Sequence, residues 1–207
     1  MRNRRIFFII AIWLAAIIAA AALDRAVAEH VHAAGFDAFL HQHKLIRETL
    51  KSPGVYFFTI AAAILLAIFH PWRWRAAVMI LLFTAVAGLN EPIKWIVGRA
   101  RPFKSLSGED APLAPFNFHP FPPFGSKDLC FPSGHASLAF ATAACLAIVM
   151  PRFRWLFYFG AMIVGLERIA ENAHWLSDVV AAAALGIGGV WVLAQMFANK
   201  FMRETDG

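Results

Sequence analysis

The sequence predicts an all-α integral membrane protein built as a bundle of six transmembrane helices. Of its 207 residues, 60% are hydrophobic and 15% are charged, whereas soluble domains average about 45–50% apolar and about 25% charged residues. Such a composition also excludes a disordered chain. Apolar runs long enough to become membrane helices recur along the chain, which we interpret as a single membrane domain, residues 1–207. The runs are residues 6–23, 55–69, 76–97, 136–150, 155–169 and 179–198.

The first run, residues 6–23, follows the basic sequence MRNRR. This pattern is typical of either a secretory signal peptide or a first transmembrane helix. We favour the helix, because the run is longer than the usual apolar region of a signal peptide and further apolar runs follow it.

The basic residues between the runs predict the orientation in the membrane. They fall on one side of the predicted bundle, which the positive-inside rule makes cytoplasmic, together with both termini. The formal charge of +6 is spread over these short groups, so we do not expect nucleic-acid binding. The groups are Arg2, Arg4 and Arg5 before the first run, Arg73 and Arg75 after the second, Arg152 and Arg154 after the fourth, and Lys200 and Arg203 after the sixth.

Residues 24–52 and 99–132 are then extracytoplasmic. The first segment is expected to lie at the membrane interface as an amphipathic element. Its residues predicted to face lipid are Val31, Phe36, Phe39, Leu40 and Leu45. Its histidines do not predict a metal site, because the H-x-H pairs do not share a helix face and no cysteine joins them. They are His30, His32, His41 and His43. The second segment is rich in proline and phenylalanine and predicts a loop, and we assign no disulfide to Cys130 and Cys145.

Lys94 stands in an apolar run, where a charge costs about 2.5–3.5 kcal/mol even on a lenient scale. A pair with Glu91, one helical turn earlier, is one explanation. Another is function: Lys94 and Arg101 are seven residues apart and would share a face of a continuing helix. Arg99 would point elsewhere, and we interpret it as a solvated or headgroup-facing charge.

The sequence FPSGHAS begins the fourth run. Ser133 is a natural N-cap, and Gly134 allows close approach of a ligand to the backbone, so the first free N–H groups there can bind an anion. His135 stands at the same helix mouth. This motif alone is weak evidence, since an ordinary helix start looks the same.

The sequence ERIAENAHWLSD joins the last two runs. His174 and Asp178 are four residues apart, so on one helix face the carboxylate would orient the imidazole and raise its basicity. Arg168 can face the same site only if residues 171–173 form a turn. The alternative is an Arg168–Glu171 pair and a helix-capping Asp178.

In chain order these groups read K-x6-R-P from Lys94 to Pro102, P-S-G-H from Pro132 to His135, and R-x5-H-x3-D from Arg168 to Asp178. This set resembles the three signature motifs of the type 2 phosphatidic acid phosphatase (PAP2) family of integral membrane lipid phosphatases. The resemblance covers about residues 55–198 and implies an acid phosphatase-like core. One departure is Glu167, where the family often has serine; its carboxylate either pairs with Arg168 or faces away.

The resemblance implies a role for each residue. The cations Lys94, Arg101 and Arg168 would clamp a phosphate, aided by backbone N–H groups at Ser133 and Gly134. His174, oriented by Asp178, would attack phosphorus to give a phosphohistidine, and His135 would protonate the leaving oxygen. No metal or other cofactor is needed in this scheme.

The expected partners are the bilayer and a lipid phosphate substrate. The resemblance implies phosphatidate, phosphatidylglycerophosphate, undecaprenyl diphosphate or a lipid A phosphate, in the outer leaflet of a cell membrane. Two other functions stay open: transfer of the phosphoryl group to another acceptor, and anion binding without turnover. The sequence does not indicate an oligomeric state.

Overall fold

The computed structural model describes residues 2–69, 73–85, 90–106, 118–121 and 129–201. These residues form α-helices joined by short turns, with two isolated β-bridges and no further strand within them. The helices are α1 (Arg2–Ala33), α2 (Phe36–Gln42), α3 (Lys44–Lys51), α4 (Tyr56–Phe69), α5 (Arg73–Ala85), α6 (Asn90–Val97), α7 (Pro102–Leu106), α8 (Gly134–Val149), α9 (Arg154–Ala170) and α10 (Leu176–Phe201).

Helix α8 lies at the centre of the fold, with α9 and α10 packed along it and α5 on another side. Nearly all of its side chains are buried, and many of them are alanines. Small side chains let neighbouring helix backbones approach closely, which is how membrane helices gain packing energy. The central helix therefore fixes the positions of the elements that meet at its N-terminal end.

The predicted spans correspond to helices, but several are shorter than a bilayer requires. By length and composition, two described helices can cross a membrane, Ile6–Ala33 and Leu176–Met196. A third span results if Lys44–Gly54 and Tyr56–Phe69, which meet at 54°, are taken together. Helix α8 has 16 residues, about 24 Å at 1.5 Å per residue. Length alone thus gives fewer than six spans in the described chain.

Two helix boundaries differ from those of the predicted spans. The first helix does not end at residue 23 but continues to Ala33, and this extension carries Asp24 into the protein interior. The predicted single helix 76–97 is described as two helices, α5 and α6, with residues 86–89 outside the described part. The acidic residue at position 24 misled the first prediction, because a charge was taken as the end of an apolar run.

Segment 24–52 is helical, comprising the end of α1 with α2 and α3. Phe36, Phe39 and Leu45 are exposed, as predicted for side chains that face lipid. Val31 and Leu40 are buried instead, because α1 packs against α10 and α2 folds back on α1. Across the described residues, no three His, Cys, Asp or Glu side chains are grouped as metal ligands.

Most of the proline- and phenylalanine-rich loop, residues 107–117 and 122–128, lies outside the described residues. Its described parts are tied to the segment that follows α6. Arg99 forms an antiparallel bridge with Phe118, and Ala100 forms one with Leu129. Gly98 ends α6 with φ 62°, and a side chain there would collide with the His119 carbonyl at 1.9 Å. This turn separates Arg101 from the helix that carries Lys94.

Candidate active site

Six of the eight residues predicted to bind or transfer phosphate line one pocket, with a cavity volume of about 330 Å³; Ser133 and Asp178 do not line it. It opens between the end of α6, the N-terminal end of α8 and the turn that joins α9 to α10. Three cations and two histidines line it: Lys94, Arg101, Arg168, His135 and His174. The structure therefore brings together side chains from three motifs that lie up to 80 residues apart.

Lys94 is buried near the end of α6. Its Nζ lies 2.7 Å from Glu91 Oε1, so the predicted ion pair is present. The same ammonium faces the start of α8, 3.7 Å from the position that a Cβ on Gly134 would occupy. The carboxylate thus balances the charge of Lys94 while the ammonium still lines the pocket, and the functional interpretation stays a prediction.

Arg101 reaches this pocket by a different route from the one predicted. Helix α6 ends at Val97, so Lys94 and Arg101 do not share the face of one continuous helix. The interpretation of Arg99 as a solvated charge is wrong. Arg99 is 3% exposed and donates hydrogen bonds to Asp24, Asp178 and Ser177.

The N-terminal end of α8 places Gly134 and His135 in the pocket. Ser133 occupies the N-cap position, with φ −70° and ψ 114°, but its side chain makes no capping hydrogen bond. Its hydroxyl is buried without a partner in the described chain, and its N–H donates to the Asp178 carbonyl at 3.3 Å. The Ser133 N–H is therefore engaged within the protein, and Gly134 is the residue of this pair that faces the pocket.

Arg168 lies in the last turn of α9, and the predicted turn follows at residues 171–173. The alternative pairing is also present. Nε and Nη2 of Arg168 donate to the Glu167 carboxylate, both at 2.5 Å, and Glu171 forms a second ion pair. Glu167 therefore pairs with Arg168 instead of facing away. Arg47 of α3 contacts Glu171 at 3.3 Å, so segment 24–52 reaches this cluster.

His174 lies in the turn before α10 and is buried. Its Nδ1 is 2.9 Å from the Cys130 carbonyl oxygen and 3.6 Å from Asp178 Oδ2. The predicted shared helix face is wrong, because α10 begins only at Leu176. Burial lowers the pKa of His174 to about 4, with Asp178 opposing the shift and Arg101 and Arg168 adding to it. The imidazole is thus neutral at physiological pH, as a nucleophile requires.

Asp178 is fully buried and holds the start of α10. Its Oδ2 accepts the Trp175 N–H at 2.9 Å, the pattern of an acidic side chain in a capping box. Its Oδ1 accepts from Arg99 Nη1 at 2.5 Å. The sequence pattern did not indicate that Arg99 joins Asp178 to Asp24 and Ser177 through hydrogen bonds. An acidic residue directly after a predicted membrane helix was the available signal, because charges at such positions are rarely incidental.

Comparisons with known proteins agree with this arrangement. A family model described as the PAP2 superfamily matches residues 72–202. Lipid A 1-phosphatase from Rhizobium johnstonii is 35% identical over 132 residues, covering 61% of this chain and 52% of that protein. Lipid A 1-phosphatase from Porphyromonas gingivalis is 32% identical over 117 residues, covering 50% of this chain and 26% of that protein. The aligned part of the chain thus spans about half of the first relative's length and about a quarter of the second's.

A crystal structure of a PAP2 type phosphatidylglycerolphosphate phosphatase from Bacillus subtilis has the same fold, with a TM-score of 0.60. It is 22% identical in sequence, and the superposition covers 96% of this chain and 98% of that one. The family model covers well over half of the chain and contains all three motifs that meet in the pocket. The protein is therefore a membrane protein that belongs to the PAP2 superfamily.

Proposed function

We propose that this protein is a lipid phosphatase that removes a phosphate group from a membrane lipid through a phosphohistidine intermediate. One observation carries the proposal: three cationic side chains and two histidines, contributed by separate elements, line a single pocket. A phosphate ester is an anion, and its transition state spreads charge over the equatorial oxygens. Preorganised cations around that position are the expected means of stabilising it.

The phosphoryl group would lie between the three cations. Lys94 supplies a point charge beside Gly134, and Arg101 and Arg168 supply planar donor groups that suit phosphate oxygens. Arg168 already uses Nε and Nη2 to bind Glu167. Nη1 is thus the Arg168 nitrogen that those two bonds leave for phosphate.

In the first step, His174 attacks phosphorus and a P–N bond forms while the bond from phosphorus to the lipid oxygen breaks. His135, in its protonated imidazolium form, gives a proton to that leaving oxygen and becomes neutral. In the second step, a water molecule attacks phosphorus, His135 takes one of its protons, and the P–N bond breaks. Inorganic phosphate leaves and both histidines return to their first state. Charge neutralisation falls to three side chains, so the scheme needs no divalent metal.

We place the chain in the cell membrane as a single domain of six spans, with both termini cytoplasmic and the pocket at the extracytoplasmic side. The positions of the basic residues support this orientation. The headgroup of an outer-leaflet lipid would then enter the pocket sideways while its chains stay in the bilayer. Exposed apolar side chains along α1, among them Phe7, Ile12 and Ile18, suit a lipid-facing helix.

The names of the relatives suggest which substrate to test first. Two of them, described as lipid A 1-phosphatases, share 32–35% of the aligned residues with this chain. We propose a glycolipid phosphate of the lipid A type as the preferred substrate. Phosphatidate, phosphatidylglycerophosphate and undecaprenyl diphosphate are the comparison substrates.

The test is release of phosphate by purified protein in detergent, with this panel of lipids and with EDTA present. We expect release from the lipid A type substrate, abolished in both His174→Ala and His135→Ala. Phosphate release from none of the lipids, or activity that survives in His174→Ala, would contradict the proposal. Transfer of the phosphoryl group to a second lipid without release would point to a phosphotransferase.

A further inference from the structure

A carboxylate of the first helix takes part in the hydrogen bonds that surround the candidate nucleophile. Asp24 lies outside the segment that the family model matches and is completely buried. Its Oδ1 accepts the Ser177 N–H at 2.8 Å, and its Oδ2 accepts from the Ser177 hydroxyl and from Arg99 Nη2, both at 2.6 Å. A buried carboxylate that accepts three hydrogen bonds is stabilised by its surroundings, unlike a charge in a surface contact.

Arg99 connects this carboxylate to Asp178. While Nη2 binds Asp24, Nη1 donates to Asp178 at 2.5 Å. The guanidinium also lies 5.4 Å from the Trp175 ring. Burial opposes a charge at this position, yet the two carboxylates raise the pKa of Arg99 above its usual value. One cation is therefore shared between two buried anions.

Asp178 connects these hydrogen bonds to His174. Its Oδ2, 3.6 Å from His174 Nδ1, is fixed by the Trp175 N–H. A fully neutralised Asp178 would add little to the field at the imidazole. A bare carboxylate would favour the protonated imidazole, which cannot attack phosphorus. Because Asp178 shares Arg99 with Asp24, its negative charge is only partly neutralised.

We propose that Asp24 and Arg99 are positioning residues, which act through Asp178 to orient His174 and to balance the charge beside it. The inference rests on the proposed function, because it concerns the nucleophile of that reaction. It makes α1 part of the reaction centre and not only a membrane anchor. Asp24 and Arg99 do not line the pocket, so neither is assigned a contact with substrate.

The other groups that act on His174 must stay the same for a test to be interpretable. They come from α8, α9, α10 and the two segments that flank α7. They are His135, Arg168, Asp178, Arg101 and Cys130.

The test measures kcat/KM as a function of pH in the wild type, Asp24→Asn and Arg99→Gln. The quantity compared is the acid limb, the low-pH range over which kcat/KM falls as His174 becomes protonated. Asp24→Asn removes a negative charge, so the protonated imidazole becomes less favourable and the limb moves to lower pH. Arg99→Gln removes a positive charge and moves the limb to higher pH. In each variant we expect kcat to fall about tenfold, the usual size of effect for groups that orient a reactive side chain.

Two controls separate positioning from general support of the fold. Thr142→Val removes a buried hydrogen bond of 2.9 Å between α8 and Thr59 of α4, so it should lower Tm without moving the limb. Arg99→Lys keeps the charge but loses the fork that binds two carboxylates. In Arg99→Lys the acid limb should stay at the wild-type pH while kcat falls. If Arg99→Gln does not fold, Asp24→Asn and Arg99→Lys together provide the test.

Limb shifts of opposite sign in Asp24→Asn and Arg99→Gln support the inference. An unchanged limb in Asp24→Asn, or activity that falls only in proportion to the folded fraction, overturns it. If the wild type is active and His174→Ala is not, such a result leaves the proposed function intact. A wild type that releases no phosphate removes the proposed function and this inference together.

Discussion

The Nδ1 atom of His174 lies 2.9 Å from the carbonyl oxygen of Cys130. A carbonyl oxygen only accepts hydrogen bonds, so Nδ1 carries the hydrogen and Nε2 carries the lone pair. The backbone of the segment before α8 thereby selects the tautomer, while Asp178 at 3.6 Å acts as a more distant charge. The nucleophilic atom of the proposed reaction is consequently Nε2.

This tautomer predicts which isomer of phosphohistidine forms. We expect the phosphoryl group on Nε2 of His174, trapped by rapid acid-free quenching of the enzyme with a lipid phosphate. Isomer-specific antibodies or mass spectrometry identifies the site, with His174→Ala as the control for labelling. Phosphate on Nδ1, or on His135, would show that the Cys130 carbonyl does not set the reactive nitrogen.

Buried His174 also predicts a pH dependence of stability. Its folded pKa of about 4 lies below the usual value of about 6.5, so between these values the unfolded chain binds a proton that the folded protein does not. Stability is therefore full above pH 6.5 and is lost as pH falls toward 4. We expect Tm of the wild type, relative to His174→Gln, to decrease over this range.

The comparison cancels every group that titrates in both proteins, including His135. A Tm difference that stays constant from pH 7 to pH 4 would mean that the imidazole is not held neutral. The full effect is on the order of 3 kcal/mol, since one pKa unit corresponds to about 1.4 kcal/mol.

Glu167 predicts an effect on phosphate affinity. Its carboxylate takes two nitrogens of Arg168, and a bond to a charged group contributes about 1.5–3 kcal/mol. Glu167→Ser frees those donors, so we expect inorganic phosphate to inhibit at about tenfold lower concentration. Glu29→Gln in α1, where the carboxylate forms an exposed ion pair with Arg25, is the matched control and should leave phosphate inhibition unchanged.

Weaker inhibition in Glu167→Ser would give the carboxylate a different role. Glu167 would then hold Arg168 in its productive orientation, and losing it would cost phosphate contacts instead of releasing them. The direction of the change in the inhibition constant decides between the two.

Gly54 predicts a steric effect on the start of α8. A Cβ at this position would lie 2.6 Å from the His135 carbonyl oxygen and 2.8 Å from Val164 Cγ1. Gly54→Ala must therefore displace the first turn of α8, and we expect a loss of about 1–3 kcal/mol and a fall in kcat/KM. Gly188→Ala, where a Cβ meets open space, should preserve activity and Tm. Equal behaviour of the two variants would contradict this packing.

The sequence allowed the pocket residues to be predicted because their chemistry is unusual for a membrane. Lys94, Arg168 and His174 stand beside apolar runs, and a polar group there has a cost that function explains. Spacing also indicated the turn after Arg168, since no unbroken helix could bring that side chain to His174. Both features depend on local helix geometry, which the sequence determines well.

Longer-range contacts were beyond such arguments. Arg99 was interpreted as a solvated or headgroup-facing charge because it would point away from Lys94 and Arg101 on a continuing helix. Its carboxylate partners are 75 and 79 residues away. The Cys130 carbonyl is a backbone group, which every residue has, so the identity of residue 130 could not indicate its contact with His174. The shared helix face of His174 and Asp178 was wrong because the helix starts two residues later. Tertiary contacts and helix ends are what a single sequence determines least.

The bond between Asp24 and Ser177 joins residues 153 positions apart, and this separation sets an order for biogenesis. At about 5–20 residues per second, roughly 10–30 seconds pass between synthesis of the two residues. During that time Asp24 lacks the two hydrogen-bond donors that Ser177 of α10 supplies. The proposed reaction centre is therefore completed only after α10 has been synthesised, and we expect a chain that lacks α10 to release no phosphate.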